Sequence, residues 1–263
     1  MMRLLVSLLL PCMCVLASTA AADPWADAVV EYDAGSNPGA GFTDPTTALG
    51  IPTRVTTTSF GSGPVTPFFP VGGNDEAVSI GEGGSLTVRF DTPVKDAVGN
   101  PFGIDLLVFG NAFLFGSEFP ITPTTTVTGF FDEGGVISVS EDGVAFTEVT
   151  GVSADALYPT VGFRGFDGGG LSNFLLPVDP SYDPLGDTPA EVYAAYAGSG
   201  GGAGIDIGAL GFSQISFVRV TNPLGSGVTP EIDAFADVQV PEPSSLACLA
   251  IAAMTARLGR RRR

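Results

Sequence analysis

The chain has 263 residues, with 28 acidic side chains against 11 basic ones and no histidine, for a formal charge of −17. All 28 acids fall between Asp23 and Glu242, where only Arg54, Arg89, Lys95, Arg164 and Arg219 oppose them, so that stretch carries −23. Such a surface repels nucleic acid and anionic lipid, whose phosphates need clustered Lys and Arg, and the lack of His excludes Ser-His-Asp and Cys-His catalysis. The acidity reads either as plain solubility or as an attraction for cations, Ca²⁺ included.

Residues 1–22 have the three parts of a signal peptide. A basic start at Arg3 is followed by an apolar stretch from Leu4 to Leu16, and Ala20, Ala21 and Ala22 precede Asp23, so cleavage is expected after Ala22. The apolar part is too short for a spanning helix of about 20 residues. Cys12 and Cys14 fall in this segment and Cys248 in the tail, which leaves the intervening domain without a disulfide or a Cys-ligated zinc.

Residues 23–239 read as one all-β domain. Its many Gly and Pro residues lie between β-branched runs, which makes them turns rather than a low-complexity tract. Ala28 to Tyr32 opens the domain. Ser85 to Phe90 alternates, with Leu86, Val88 and Phe90 on one face and Thr87 and Arg89 on the other. Ile104 to Phe109 is nearly all apolar, as a central strand requires. Val136 to Ser140 and Val144 to Val149 flank Glu141-Asp142-Gly143, a strong hairpin signal. Pro189 to Ala197 is the helical candidate, with Thr188 as N-cap and Gly198 as the stop. Gly165 to Gly204 forms the long excursion, and Gly200 to Gly204 reads as a flexible run. Ile215 to Val220 and Ile232 to Val240 close the domain. Many strands with long, uneven connections favour a jelly-roll type sandwich over an up-and-down barrel.

Residues 240–263 differ in kind. Val240-Pro241-Glu242-Pro243 is a turn-forming motif, followed by an apolar segment from Leu246 to Met254 and then Arg257 and Arg260 to Arg263. Physically this is a short membrane-seeking helix with a positive stop on the cytoplasmic side. It is too short to anchor firmly, which suits a transient processing signal.

The Pro-Glu-Pro triplet, apolar segment and terminal Arg cluster, in that order, resemble the PEP-CTERM sorting signal. The resemblance implies bacteria of Gram-negative type that make exopolysaccharide. It also implies recognition by an exosortase-type membrane enzyme, cleavage near Val240, Pro241, Glu242 and Pro243, and release or attachment at the surface. Val136 to Val149, with its Ser-x-Asp-Gly turn, and Gly84 to Asp91 resemble strands of discoidin and galactose-binding-like domains. Tyr32 to Gly50 and Val108 to Phe113 are similar to surface proteins with the same sorting tail. In galactose-binding-like sandwiches a structural calcium often ties the first strand or its loop to the last strand. That likeness implies Asp33, Asn37 and Asp44 near the start, with Glu231 and Asp233 near the end.

The acids Asp179, Asp183 and Asp187 recur every four residues, a spacing unlike that of an EF-hand. Catalysis without His could use two facing carboxylates. The adjacent pairs Asp75-Glu76, Asp132-Glu133 and Glu141-Asp142 read more simply as solvated turns. For saccharide contact, Asn111, Phe113, Phe115, Glu118 and Phe119 cluster in one expected loop, although Phe side chains serve more commonly as core. Trp25, the sole Trp, reads as a plug at the sandwich end. The expectation is a non-catalytic, exported cell-surface or matrix protein contacting polysaccharide. Its alternatives are a carbohydrate-active hydrolase with paired carboxylates and a structural surface-layer component.

Overall fold

The computed structural model describes residues 23–238 apart from 60, 167 and 168. The expected leader and the tail with Val240, Pro241, Glu242 and Pro243 lie outside the described residues. The strands in chain order are β1 (Ala28–Asp33), β2 (Val55–Thr58), β3 (Gly61–Pro64), β4 (Val78–Ser79), β5 (Ser85–Lys95), β6 (Leu106–Gly110) and β7 (Phe113–Gly116). They continue as β8 (Val127–Phe131), β9 (Gly134–Ser140), β10 (Thr147–Asp155), β11 (Ala203–Ile205), β12 (Gln214–Thr221) and β13 (Glu231–Asp237). Between β10 and β11 lies α1 (Pro189–Tyr196), the one α-helix among the described residues.

Two sheets carry the domain. One has the order β1-β5-β12-β9-β10, the other β11-β6-β13-β4, with β2-β3 and β7-β8 as separate two-stranded ribbons. Among the described residues every paired strand is antiparallel and no sheet closes into a barrel. Both large sheets contribute to one core, in which Leu86, Val88 and Phe90 of β5 and Val218 and Val220 of β12 join Leu106 and Val108 of β6 and Ile232 and Phe235 of β13. The alternation of β5 is as expected. Thr87, on its other face, is nonetheless buried because the Arg219 side chain lies over it, its Nε donating to Thr87 Oγ1 at 2.9 Å.

The four-stranded sheet has a second buried face. Leu107 and Phe109 of β6 and Ala234 and Ala236 of β13 point away from the main core and pack under Phe174 and Leu175 of the long excursion. This accounts for the unbroken apolar run of β6, which has no solvent side. On β13 a bulge between Ile232 and Ala234 shifts the alternation by one, so Ile232 and Phe235 face the main core while Ala234 and Ala236 face the excursion.

The hairpin of β9 and β10 forms around Gly143, whose φ is 75°. Ser140 Oγ accepts from the Gly143 N–H at 3.0 Å, and the Asp142 carboxylate accepts from the Val144 and Ala145 N–H groups at 2.8 and 3.0 Å. The return strand starts at Thr147 rather than Val144 because this loop consumes the intervening residues. Helix α1 ends one residue earlier than expected, with Ala197 left-handed at φ 50° and Gly198 at φ 88°. Glu191 reaches back to the Thr188 N–H at 2.8 Å as in a capping box.

Gly200 to Gly204 departs from the sequence expectation. It is a packed seam rather than a flexible run. Added Cβ atoms would meet the Phe174 ring at 2.2 Å from Gly200, the Pro159 carbonyl oxygen at 2.0 Å from Gly201 and the Ile104 side chain at 2.6 Å from Gly204. Ala203–Ile205 then pairs with β6. Here glycine serves close backbone approach, not looseness.

Candidate functional site

The excursion that covers β6 and β13 also builds an aromatic cleft. Four of the five tyrosines in the chain lie between Tyr158 and Tyr196, three of them in this segment and Tyr158 just before it. Leu157, Tyr158, Tyr196 and Tyr182 pack with Leu114 of β7 and Val127 of β8. Between this packing and the end of β10 lies a cavity of about 370 Å³, whose walls include Phe130, Ser153, Tyr158 and Tyr182. Ile104, Gly202 and Gly204 also line it.

The tyrosine hydroxyls hold the cleft in shape. Tyr158 Oη lies 2.9 Å from the Asp179 carbonyl oxygen and 2.8 Å from that of Tyr182, and its one proton is shared between them. Tyr182 donates to the Asp187 carboxylate at 2.9 Å. The two rings stack with centroids 6.0 Å apart and planes 18° from parallel, and Tyr196 meets Tyr158 edge-on at 6.2 Å. Burial raises the Tyr158 and Tyr182 pKa values, helped by the Asp179 charge for the first and by the Asp187 hydrogen bond for the second. Both therefore remain neutral phenols at ordinary pH. With their polar ends committed, the rings are the surface they offer a ligand.

A second cavity, of about 460 Å³, is acidic, and Asp44, Asp75, Glu76 and Asp233 line it. Asp233 lies on the β13 bulge and accepts from the Thr53 N–H and hydroxyl, both at 2.9 Å. Burial pushes its pKa up to about 7 despite those donors. Glu76 accepts from the Thr57 N–H at 2.9 Å, the Gly73 N–H at 2.8 Å and the Thr56 hydroxyl at 2.5 Å, so it is more than a solvated turn residue. Asp44 caps the short 3-10 turn at Pro45–Ala48 through Thr46, whose side-chain and backbone donors hold its carboxyl below the usual range.

The structure thus brings two of the five expected calcium ligands, Asp44 and Asp233, to one cavity. The other three lie elsewhere. Asp33 accepts from the Gly35 N–H at 3.0 Å, Asn37 takes a left-handed backbone at φ 54°, and Glu231 accepts from Asn111. Among the described residues, no group of three or more acidic side chains is arranged to hold a metal ion. The first loop is nevertheless tied to the last strand, by Thr53 against Asp233.

Nor do the expected saccharide residues converge. Asn111 is spent on Glu231, and Glu118 accepts from the Thr122 and Thr125 hydroxyls at 2.6 and 3.1 Å. Phe113 and Phe115 belong to the β7–β8 hairpin rather than to a loop or the core. They stand on its outer face with Phe131, at centroid distances of 5.3 Å between Phe113 and Phe115 and 5.2 Å between Phe113 and Phe131. Phe115 is 44% exposed and Phe119 94% exposed, so the core reading fails for both. Trp25 does sit half-buried at the sheet end, bridging Ala236. Asp179, Asp183 and Asp187 each serve a local partner, Ser181, Leu185 and Tyr182.

Sequence reasoning also missed a buried polar staple next to the cleft. Asp155, at the end of β10, is fully buried and accepts from the Ala112 N–H at 2.8 Å and the Glu231 N–H at 3.0 Å. It joins β10 to the end of β6 and the start of β13, and it fits because Gly110 has no Cβ, which would sit 2.4 Å from Asp155 Oδ1. Burial, with the charges of Glu133 and Glu231, pushes its pKa up to about 8, and burial with Glu133 lifts Glu231 to about 7. The crowding of tyrosine between Tyr158 and Tyr196 was the available signal for the cleft; no local pattern marks Asp155.

No helix among the described residues is long and apolar enough to cross a membrane. No curated protein matches the chain. A family model described as the PEP-CTERM protein-sorting motif matches residues 239–263, the segment that holds the Pro-Glu-Pro triplet, the apolar stretch and the Arg cluster. That motif marks an exported protein whose C-terminal tail is handled by an exosortase-type membrane enzyme.

Proposed function

We propose that this is a non-catalytic surface or extracellular protein that contacts a neutral polysaccharide through the aromatic cleft. The observation that carries the reading is the cleft itself. Phe130, Tyr158 and Tyr182 present rings, with the two tyrosine hydroxyls committed to main-chain carbonyls and to Asp187, in a cavity of about 370 Å³. That volume falls at the small end of ligand sites and suits a sugar ring or chain end rather than a folded partner. The strong negative charge of the domain argues for a neutral glycan over an acidic one. In this reading the two antiparallel sheets with long crossing connections are a jelly roll of galactose-binding-like type, with the cleft a feature of its excursion.

A hydrolase would need a raised carboxyl and a second carboxylate facing one cavity. Of the three carboxyls raised furthest, Asp155 and Glu231 serve the main chain and Asn111, and none of the three lines the aromatic cleft. Asp233 shares the acidic cavity with Glu76, where Thr53 occupies both oxygens of the first and main-chain N–H groups hold the second. The test is retention of the 23–238 chain on immobilised neutral polysaccharides, with release of reducing ends measured in parallel. Binding that Tyr182→Ala weakens about tenfold without turnover is the expected result, the size of one aromatic contact. Reducing-end release would replace the proposal with a hydrolase. Binding indifferent to Tyr182 and Phe130 would remove the cleft from it.

A further inference from the structure

The first and last paired segments of the domain lie side by side. Trp25 bridges Ala236 in antiparallel fashion, the Asp237 N–H donates to the Pro24 carbonyl at 2.7 Å, and the Ala26 N–H donates to that of Phe235 at 3.3 Å. Antiparallel pairing puts Asp23 beside Val238, so the expected leader junction and the sorting tail attach at one pole of the fold. Val238 is fixed there. Its N–H donates to the Asp105 carbonyl at 2.8 Å, and its side chain is buried with Ile104, Phe109 and Phe174.

Only Gln239 and Val240 separate this anchored residue from Pro241. At ~3.3–3.6 Å per residue, three steps put the start of the triplet within about 11 Å of a fixed point on the folded surface. An enzyme that grips the triplet must therefore touch the domain. The loop leading to Asp105 supplies something to touch: Val98 is fully exposed and Phe102 is 54% exposed. That loop is held from beneath, since the Asp105 carboxylate accepts from the Ala97 N–H at 3.2 Å, the Asn100 amide at 2.7 Å and the Ile207 N–H at 3.1 Å. A braced loop with apolar tips on an otherwise acidic domain suits a protein surface better than anionic headgroups.

We propose that this pole, with Val98 and Phe102 beside the Val238 exit, is the face on which the exosortase-type membrane enzyme seats while it processes the tail. The proposal rests on the sorting role of residues 239–263. Its test follows conversion of the full chain by pulse-chase and intact mass in a host that has the sorting enzyme. Four chains are compared: the parent, Phe102→Asp, a Gly-Ser spacer of about ten residues after Val238, and the two changes combined. Phe102 has φ 60°, a backbone that Asp tolerates better than most residues, so the substitution adds no strain. Phe102→Asp is expected to slow conversion roughly fivefold or more, as for loss of one interface anchor. The spacer frees the triplet from the fold, so the combined chain should convert at the parent rate. Val98→Asp repeats the test at a second position, with thermal melts as the folding control. Equal rates for parent, Phe102→Asp and Val98→Asp overturn the proposal, and so does slowing that the spacer does not relieve. A parent chain that is never converted strikes the sorting role itself, and the proposal falls with it.

Discussion

The two large sheets share a core but treat their outer faces differently. The five-stranded sheet leaves its outer face to solvent, where Arg219 lies between Thr87 and the Phe146 ring, 3.9 Å from that ring's centroid, and Arg89 pairs with Asp91 at 2.7 Å. The four-stranded sheet hides its outer face under the excursion, with Phe174 packed edge-on against Phe109 at 5.5 Å. A sheet with one wet face needs only its own alternating strands. A sheet with two dry faces needs a lid, and the lid is chain long enough to carry a cleft. The proposed contact site is thus a consequence of burying β6 and β13 twice.

The largest test of that contrast removes the ring at the centre of the covered face. Phe174 is 2% exposed, and Arg54 Cζ lies 4.1 Å from the centroid of its ring. Phe174→Ala should cost about 3–5 kcal/mol in urea unfolding, the range for a buried aromatic. It should also loosen the tyrosine cleft, read as earlier proteolysis between residues 159 and 200. A loss under about 1 kcal/mol would mean that the excursion rests on the sheet without stabilising it.

Next in size is the response to pH. Asp155 at about 8, and Glu231 and Asp233 at about 7, all lie above the unfolded carboxyl range near 4. Carboxyls raised by folding contribute stability that is whole below about pH 4 and is lost as pH climbs through 7 and 8. The melting temperature should therefore fall between pH 5 and pH 9, by an amount reflecting a few kcal/mol in total. Asp155→Asn, which cannot titrate but sets an amide NH2 against one of the main-chain N–H donors, should lower the melt as a whole and flatten the upper part of that profile. A melting temperature that rises over this interval would show that the four-stranded side carries its acids ionised.

How much of this was legible in sequence follows the same division. Alternation marked β5 and the Asp-Gly turn marked the β9–β10 hairpin, because each is a local pattern imposed by one face or one turn. The continuous apolar run of β6 signalled a central strand, but not what would cover it, since Phe174 lies more than sixty residues away. Aromatic type alone predicts burial for Phe113 and Phe115, whereas strand parity decides it here. Asp155 gave no signal, since its partners Ala112 and Glu231 are distant main-chain groups. The sorting tail was the most legible part, being written in order and residue type alone.

On the solvent-facing side the expected effects are smaller. A Cβ on Gly143 would sit 3.1 Å from the Phe217 ring, in a residue whose φ of 75° already disfavours a side chain. Gly143→Val should therefore cost about 1–2 kcal/mol, by a thermal melt compared with the parent. Gly143→Asn tolerates the left-handed backbone and should recover part of the loss. An unchanged melt for Gly143→Val would mean that the loop shifts freely and that Ser140 and Asp142 do not fix it.

The smallest effect is expected where a large side chain stands outside both sheets. Phe115 and Leu114 are neighbours on β7, yet Leu114 is 2% exposed and packs with Val127, Val161 and Val178. Phe115 lies over Gly129, its cross-strand partner, and its ring meets those of Phe113 and Phe131 on the same hairpin face. Those ring pairs are solvated on one side, so they contribute about 0.5–1 kcal/mol at most beyond area already exposed. Phe115→Ala should therefore shift urea unfolding by less than about 1 kcal/mol, although it removes more atoms than Leu114→Ala. The comparison of these two adjacent truncations separates side-chain size from strand parity. A Phe115→Ala loss as large as that of Leu114→Ala would mean that the outer aromatic face of the hairpin is covered in solution, with a partner or a second copy of the chain supplying the missing contacts.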